Sequence, residues 1–231
     1  MFERPHHRRI AAVLEALDAD LLEARHCLLG GGTAIALRHG EYRESVDLDF
    51  LVSDLAGYRA LRLALTGPDG VRAIARPGAV LTASREVRAD QYGIRTMLVE
   101  GDAQIKFEIV LEGRIVLETP APDDRLCGVA TLTPLDAVAS KLLANADRWR
   151  DDAVCSRDLI DLAMMKPPRA LLRRAFAKAR IAYGDSIQTD LASAIERLRT
   201  QPHHLARCMT ALGMHPTPRA VVWKHIKALS I

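Results

Sequence analysis

Apolar residues recur at helical spacing over residues 8–25: Ile10, Val13, Leu14, Leu17 and Leu21 share a face, with Glu15, Asp18 and Glu23 elsewhere, which predicts an amphipathic helix. The short run Cys27-Leu28-Leu29 predicts a strand, Gly30-Gly31-Gly32 a turn, and Thr33–Arg38 a second helix. Residues 45–52 alternate. Val46, Leu48, Phe50 and Val52 fall on one face of a strand, and Asp47 and Asp49 on the other, because side chains two apart share a face. A helix is predicted over 57–66 and strands over 71–75, 79–83 and 94–99, separated by Pro77-Gly78 and Tyr92-Gly93. Residues 103–111 alternate again, with Ile105, Phe107, Ile109 and Leu111 inward and Lys106 and Glu108 on the opposite face.

The pattern changes at Pro120-Ala-Pro122-Asp-Asp, and a boundary is predicted there, between a first domain over 1–122 and a basic, helical second domain over 123–231. Thr133-Pro134 with Asp136 starts a helix that runs to about Arg150. Ser156 is placed as the cap of the next, Arg157 to about Met165, which Pro167-Pro168 ends. Further helices are predicted over 169–182 and 187–200, and a last short one follows Pro216 and Pro218. His6-His7 and His203-His204 are isolated pairs and read as surface residues.

Composition adds bounds. With 49% hydrophobic and 26% charged residues the chain is an ordinary globular protein, neither disordered nor collagen-like. Aromatic residues make up only 4%, so stacking of bases on many exposed rings is not its main mode of action. Cys27, Cys127, Cys155 and Cys208 form no CxxC pair, which argues against a zinc knuckle or a disulfide scaffold. No signal peptide and no membrane span is read, so the expected location is the cytoplasm.

The net charge of +3 is uneven. Residues 1–125 hold 16 basic and 20 acidic side chains, a net −4, whereas residues 126–231 hold 16 and 9, a net +7. Such asymmetry hints at a polyanionic partner for the second half.

The candidate chemistry lies in the first half. Two carboxylates on one strand face, Asp47 and Asp49, can hold a divalent cation with oxygen ligands, and Mg²⁺ is typically held by a few carboxylates plus substrate phosphates. Glu108, on a strand with the same alternation, is the candidate third carboxylate of a two-metal site. The glycine turn opens a helix, so its backbone N–H groups can approach a phosphate. No GKT or GKS follows, so the turn is not a P-loop.

Gly31-Gly32-Thr33-Ala34, followed by Arg43-Glu44-Ser45-Val46-Asp47-Leu48-Asp49-Phe50, resembles the nucleotidyltransferase core pattern of a glycine turn and an Asp-x-Asp strand. The fuller form, GGTA then RxSxDLDF, is similar to the AbiEii/AbiGii-type nucleotidyltransferases, toxins of bacterial toxin–antitoxin and phage-defence systems. Leu135–Leu143, which contains Lys141, and Ser156–Leu162, which contains Arg157, Asp158 and Asp161, resemble the Lys-bearing and RDxxDL helices of that family. The resemblance spans roughly residues 25–165.

It implies an α+β chain: a polymerase-β-like core with a mixed sheet flanked by helices, then an all-helical C-terminal region. It also implies metal-dependent transfer of a nucleotide from an NTP, with Mg²⁺ or Mn²⁺, onto an acceptor expected to be RNA, tRNA in some members. Asp47 and Asp49 match the metal-binding pair and Glu108, less tightly, the third carboxylate. Gly31, Gly32 and Thr33 are expected near the triphosphate, Lys141 on its phosphates, and Asp158 as the acidic residue of the late helix. Arg157 and Asp161 occupy motif positions; four residues apart, they could equally form an ion pair on one helix face. Arg43 and Ser45 either hold the nucleotide or fix the turn before the strand. A cognate antitoxin is an expected partner. Two other readings stay open: a nucleotidyltransferase acting on a protein or small molecule, and a non-catalytic nucleotide- or RNA-binding module.

Overall fold

The computed structural model describes residues 2–215 and 217–230. Contacts divide the chain into two units. One comprises residues up to Arg38 with Ser45–Thr133, and the other comprises His39–Glu44 with Pro134 onward.

The first unit opens with α1 (Pro5–Ala16) and α2 (Ala19–Ala24) rather than one helix over 8–25. The break lies at Asp18, whose carboxylate accepts from the Leu21 N–H at 2.9 Å. An Asp that bonds nearby backbone N–H groups favours a helix start over a helix interior. The freed backbone is used elsewhere: the Asp18 N–H donates to the Ile74 carbonyl and the Arg76 N–H to that of Ala16. Next come β1 (Leu28–Leu29), α3 (Gly31–Arg38), β2 (Leu48–Val52) and α4 (Leu55–Leu65). The strand expected from residue 45 begins only at Leu48, and Val46 is 48% exposed instead of facing the core.

Residues expected as a strand over 71–75 form a 3-10 helix, Gly70–Ile74. Val71 and Ile74, both buried, are three apart, the spacing that eclipses side chains in that helix. Short strands β3 (Thr82–Ala83) and β4 (Arg88–Ala89) precede the long hairpin of β5 (Gly93–Glu100) and β6 (Ala103–Leu111). A two-stranded ribbon, β7 (Arg125–Leu126) and β8 (Val129–Ala130), closes the unit.

The main sheet is mixed, in the order β1-β2-β6-β5-β3, with β4 also on β5. Strands β2 and β6 run parallel, and they pair Asp49 with Glu108 and Phe50 with Ile109. Inward residues of these strands, Leu48, Phe50, Ile105, Phe107 and Ile109, are essentially fully buried, and the rings of Phe50 and Phe107 lie 5.4 Å apart. The alternation that buries them turns Asp49 and Glu108 to the opposite face.

The second unit contains α5 (Pro134–Arg148), a 3-10 turn at Asp152–Val154, α6 (Arg157–Met165), α7 (Arg169–Tyr183), α8 (Ser186–Thr200), α9 (Pro202–Ala211) and α10 (Arg219–Lys227). Helix α9 was not foreseen in the sequence, although Pro202 at its first turn is a helix-start signal. It buries His204, which is no surface residue. Ser156 does not cap α6 with its side chain; its hydroxyl faces His204 Nε2 at 3.3 Å. Pro216 lies outside the described residues.

The division falls after Thr133 rather than at the expected 122. The segment between bonds back to the first unit: the Leu132 N–H donates to the Leu29 carbonyl at 3.0 Å, and the ribbon packs on α2. Among the described residues no helix is long and apolar enough to cross a membrane.

Candidate active site

In the first unit the sheet, the glycine turn and the loop before β2 converge on Asp47 and Asp49. The Gly30 N–H donates to the Asp49 carbonyl at 2.8 Å, which extends the β1–β2 pairing by one bond. Gly31 then enters α3 with φ +67°, a left-handed conformation that favours glycine. Its Cα lies against the Asp49 carboxylate. A methyl group there would overlap Asp49 Oδ2 and come within 2.8 Å of its Cβ. Conformation and contact therefore both require glycine, and the contact joins the start of α3 to the carboxylate of β2.

The loop before β2 is held from two sides. Thr33, 1% exposed, places its hydroxyl 2.8 Å from Ser45 Oγ and donates to the Asp47 carbonyl. The Ser45 N–H donates to His7 Nε2 at 3.1 Å, and His6 Nε2 meets the Val46 carbonyl at 3.2 Å. His7 is fully buried, against the expectation of a surface pair. Its position three residues before Ile10, on the apolar face of α1, was the available signal. Thr33 and Ser45 thus act on the backbone that carries Asp47.

On the neighbouring strand Glu108 accepts from Lys106 Nζ at 2.7 Å and from Arg95 Nε at 2.5 Å. Burial pushes its carboxyl up, but the two cationic donors outweigh that and hold it below the usual range. Lys106 is raised, first by its bond to Glu108 and further by the nearby charges of Asp49 and Asp47. One ammonium therefore sits in the field of all three carboxylates.

Hard oxygen donors of this kind suit a divalent cation. Among the described residues no three His, Cys, Asp or Glu side chains form a ready-made cage. The set fits an ion held by two carboxylates together with substrate phosphates better than one held by protein alone.

The second unit gathers the remaining motif residues into a buried ionic network. Lys141 Nζ lies 2.8 Å from Asp158 Oδ1 and 2.7 Å from Asp161 Oδ2. Arg148 bonds Asp158 through Nε at 2.7 Å and Nη2 at 3.0 Å. Arg43 bonds Asp161 in the same two-pronged way, Nε at 2.7 Å and Nη2 at 3.0 Å, and the Tyr42 hydroxyl donates to Asp161 at 2.5 Å. Asp161 is wholly buried and Arg43 only 2% exposed. Burial alone would raise both carboxyls, yet Lys141 leads the cations that hold Asp158 well below, and Asp161 below, the usual range.

Asp161 therefore takes Arg43, Lys141 and Tyr42 as partners, while Arg157, half-exposed at the start of α6, has no ion-pair partner among the described residues. Sequence reasoning missed Tyr42 and Arg148. Arg148 lies two helical turns beyond Lys141, on the same face of α5, which is a readable signal; Tyr42 had none.

A mixed sheet that sets Asp49 and Glu108 side by side, with a glycine turn opening a helix against Asp49, fits the glycine-turn and Asp-x-Asp pattern of nucleotidyltransferases. The family described as "Nucleotidyl transferase AbiEii toxin, Type IV TA system" matches residues 12–226, and the chain belongs to it. Among solved structures, the chain is similar in fold to a Helicobacter pylori protein described as a candidate nucleotidyltransferase: 17% identity, 97% of this chain and 93% of that one, TM-score 0.53. A second, JHP933 from Helicobacter pylori, has 15% identity over 100% of this chain and 94% of that one, with a TM-score of 0.49. No curated protein matches.

Proposed function

We propose that the chain transfers a nucleotidyl group from an NTP to a hydroxyl of an RNA acceptor, tRNA first among them, in the presence of Mg²⁺ or Mn²⁺, as the toxin partner of an antitoxin protein. The observation that carries the chemistry is the register of β2 and β6, which sets Asp49 beside Glu108, with Asp47 two residues earlier and the glycine turn against Asp49. The RNA acceptor is supported by the +7 net charge of the helical half.

In this reading the acceptor oxygen attacks the α-phosphorus, its proton passes to a carboxylate, and the bond to pyrophosphate breaks. A divalent ion held by Asp47 and Asp49 supplies charge neutralisation at the phosphate oxygens. The backbone at Gly31 and Gly32 faces the triphosphate, and Thr33 and Ser45 keep the Asp47 loop in place. Glu108 tempers Lys106, so that the positive charge beside the aspartates is partly shared. Lys141, which the family pattern puts on the triphosphate, is committed to Asp158 and Asp161 inside the second unit, where it fixes both carboxylates of the RDxxDL helix. Arg43 acts through Asp161 as a positioning residue, and Arg157 is the more accessible cation for the nucleotide.

The deciding experiment incubates the protein with α-labelled NTPs and separated pools of cellular RNA, protein and small molecules. Label in RNA is expected. Label in protein or in a small molecule alone would replace the acceptor.

Two variants probe the geometry. Gly31→Ala is expected to lose at least about 100-fold in transfer, because displacing a reacting group by about 1 Å costs that much; near-normal turnover would show that Asp49 tolerates the shift. Glu108→Gln keeps the shape but removes the charge, and a loss of about 10- to 100-fold with a raised Mn²⁺ requirement is expected. An unchanged metal titration would take Glu108 out of the ion's surroundings.

A further inference from the structure

The excess charge of the second unit is concentrated in one region. From residue 162 onward there are three acidic side chains, and each is spent on an arginine: Asp185 on Arg180, Asp190 on Arg150, and Glu196 on Arg199. Three more basic residues of this stretch use acids from elsewhere in the unit, Lys178 on Asp136 and both Arg197 and Arg207 on Asp152.

Among the described residues from 162 onward, the basic side chains left without an ion pair fall into two sets. One is Lys166, Arg169, Arg173 and Arg174, at the end of α6 and the first two turns of α7. The other is Arg219, Lys224 and Lys227, on α10. All seven are exposed. Helix α10 packs on α6, which brings Lys166, at the end of the first set, close to Lys224 of the second. They meet at His225, which burial first and the charges of Lys166 and Lys224 next hold below its usual pKa, and whose Nδ1 is buried without a hydrogen bond.

The arrangement opposes the protein's own stability. Arg169 lies in the first turn of α7, where the helix dipole disfavours a cation and no acid compensates. Lys166 is held in a left-handed conformation at φ +49°, which is strained for lysine, in front of the rigid Pro167-Pro168 pair. Like charges gathered at such cost are relieved by an anion. Spacing adds a direction: Arg219, Trp223 and Lys227 recur every four residues along one face of α10, over about 12 Å at 1.5 Å per residue, and set an indole between two cations.

We infer that the start of α7 and the exposed face of α10 form the surface that grips the phosphate backbone of the RNA acceptor, resting on the proposal that the acceptor is RNA. The contact is with phosphates rather than base edges, so it supplies affinity and register without sequence choice.

The test measures binding of an unmodified tRNA transcript by fluorescence anisotropy between 50 and 200 mM KCl. A five-site variant, with Arg169, Arg173, Arg174, Lys224 and Lys227 changed to Gln, is set against a control that changes Arg59, Arg62, Arg72, Arg180 and Arg199 to Gln. All ten side chains are exposed, and circular dichroism checks that both variants fold. The α7/α10 variant is expected to bind at least about 30-fold more weakly, with a plot of log affinity against log salt shallower by about 3 to 5, since each lost phosphate contact removes about 0.7 to 0.9.

Equal losses in the two variants would reduce the effect to net charge and overturn the surface while leaving the RNA reading intact. So would unchanged RNA binding together with lost binding of an acidic protein partner. Failure of the wild-type protein to bind tRNA or to label any RNA would instead overturn the RNA reading, and the surface with it.

Discussion

Asp49→Asn is expected to lower nucleotide transfer by at least about 1,000-fold while leaving the melting curve close to that of the wild type. The change keeps the side chain's volume, and with it the contact against Gly31, but removes the charge at the position where β2 meets β6. Preorganised charge at a transferring phosphoryl group is a large part of the rate enhancement in such reactions, and losing one such group typically costs two to three orders of magnitude. A carboxylate that also holds a divalent ion costs more, because the neutral amide is a poor ligand. The assay is single-turnover transfer of label from an α-labelled NTP to the acceptor, with metal varied over a wide range. Activity within about tenfold of wild type, at any metal concentration, would remove Asp49 from the reaction.

The second large effect is on stability. Asp161→Asn deprives Arg43 and Lys141 of their shared counter-charge inside the second unit, where Asp161 is wholly buried. Breaking a buried ion pair from one side typically costs about 3–5 kcal/mol, because an uncompensated charge is left out of water. That is a large share of the roughly 5–15 kcal/mol by which proteins of this kind are stable. For a chain of this size it corresponds to a fall in melting temperature of about 6–20 °C.

The pH dependence has a definite sign. Asp161's folded pKa lies below its ordinary value of 3.8, so its contribution is full above that value and is lost as pH falls through the lower, folded one. The gap between wild type and Asp161→Asn should therefore hold from pH 7 to about 5 and close in strong acid. A gap that stays constant into strong acid would mean that the charge of Asp161 is not what stabilises the unit.

How much of this was legible in the sequence depends on the range of the interaction. The turn of Asp49 away from the buried Leu48 and Phe50 follows from a two-residue period and was readable at once, whereas Asp47 lies before the strand, which begins only at Leu48, so the period does not place it. That Asp49 stands next to Glu108 was not readable, because the register of two strands separated by α4 and a hairpin is set by long-range pairing. The same limit applies to the network. Lys141, Asp158 and Asp161 appeared as motif letters, but that Arg43 closes on Asp161 from a distant loop has no local signature. Local conflicts explain most of the misassigned elements. A five-residue run such as 71–75 fits a strand or a 3-10 turn equally well, and Asp18 could sit mid-helix or cap until the packing of Ile74 decided. His7 was mistaken for a surface residue because its neighbour in the pair masked its place on the buried face of α1.

Residues 39–44 belong with the helical unit although the chain enters and leaves them from the first, so the backbone passes from one unit to the other at 38/39, at 44/45 and at 133/134. A single crossover near codon 133 would separate Tyr42 and Arg43 from the Asp161 that they bind. The incoming helices would find a foreign Tyr42 and Arg43, and the outgoing ones would leave theirs behind, each with a charge and a phenol evolved for another Asp161. Inheritance of the Asp47 loop and of the RDxxDL helix is thereby tied together, and shuffled hybrids of such toxins are expected to survive only when the six-residue insert travels with the helices it joins.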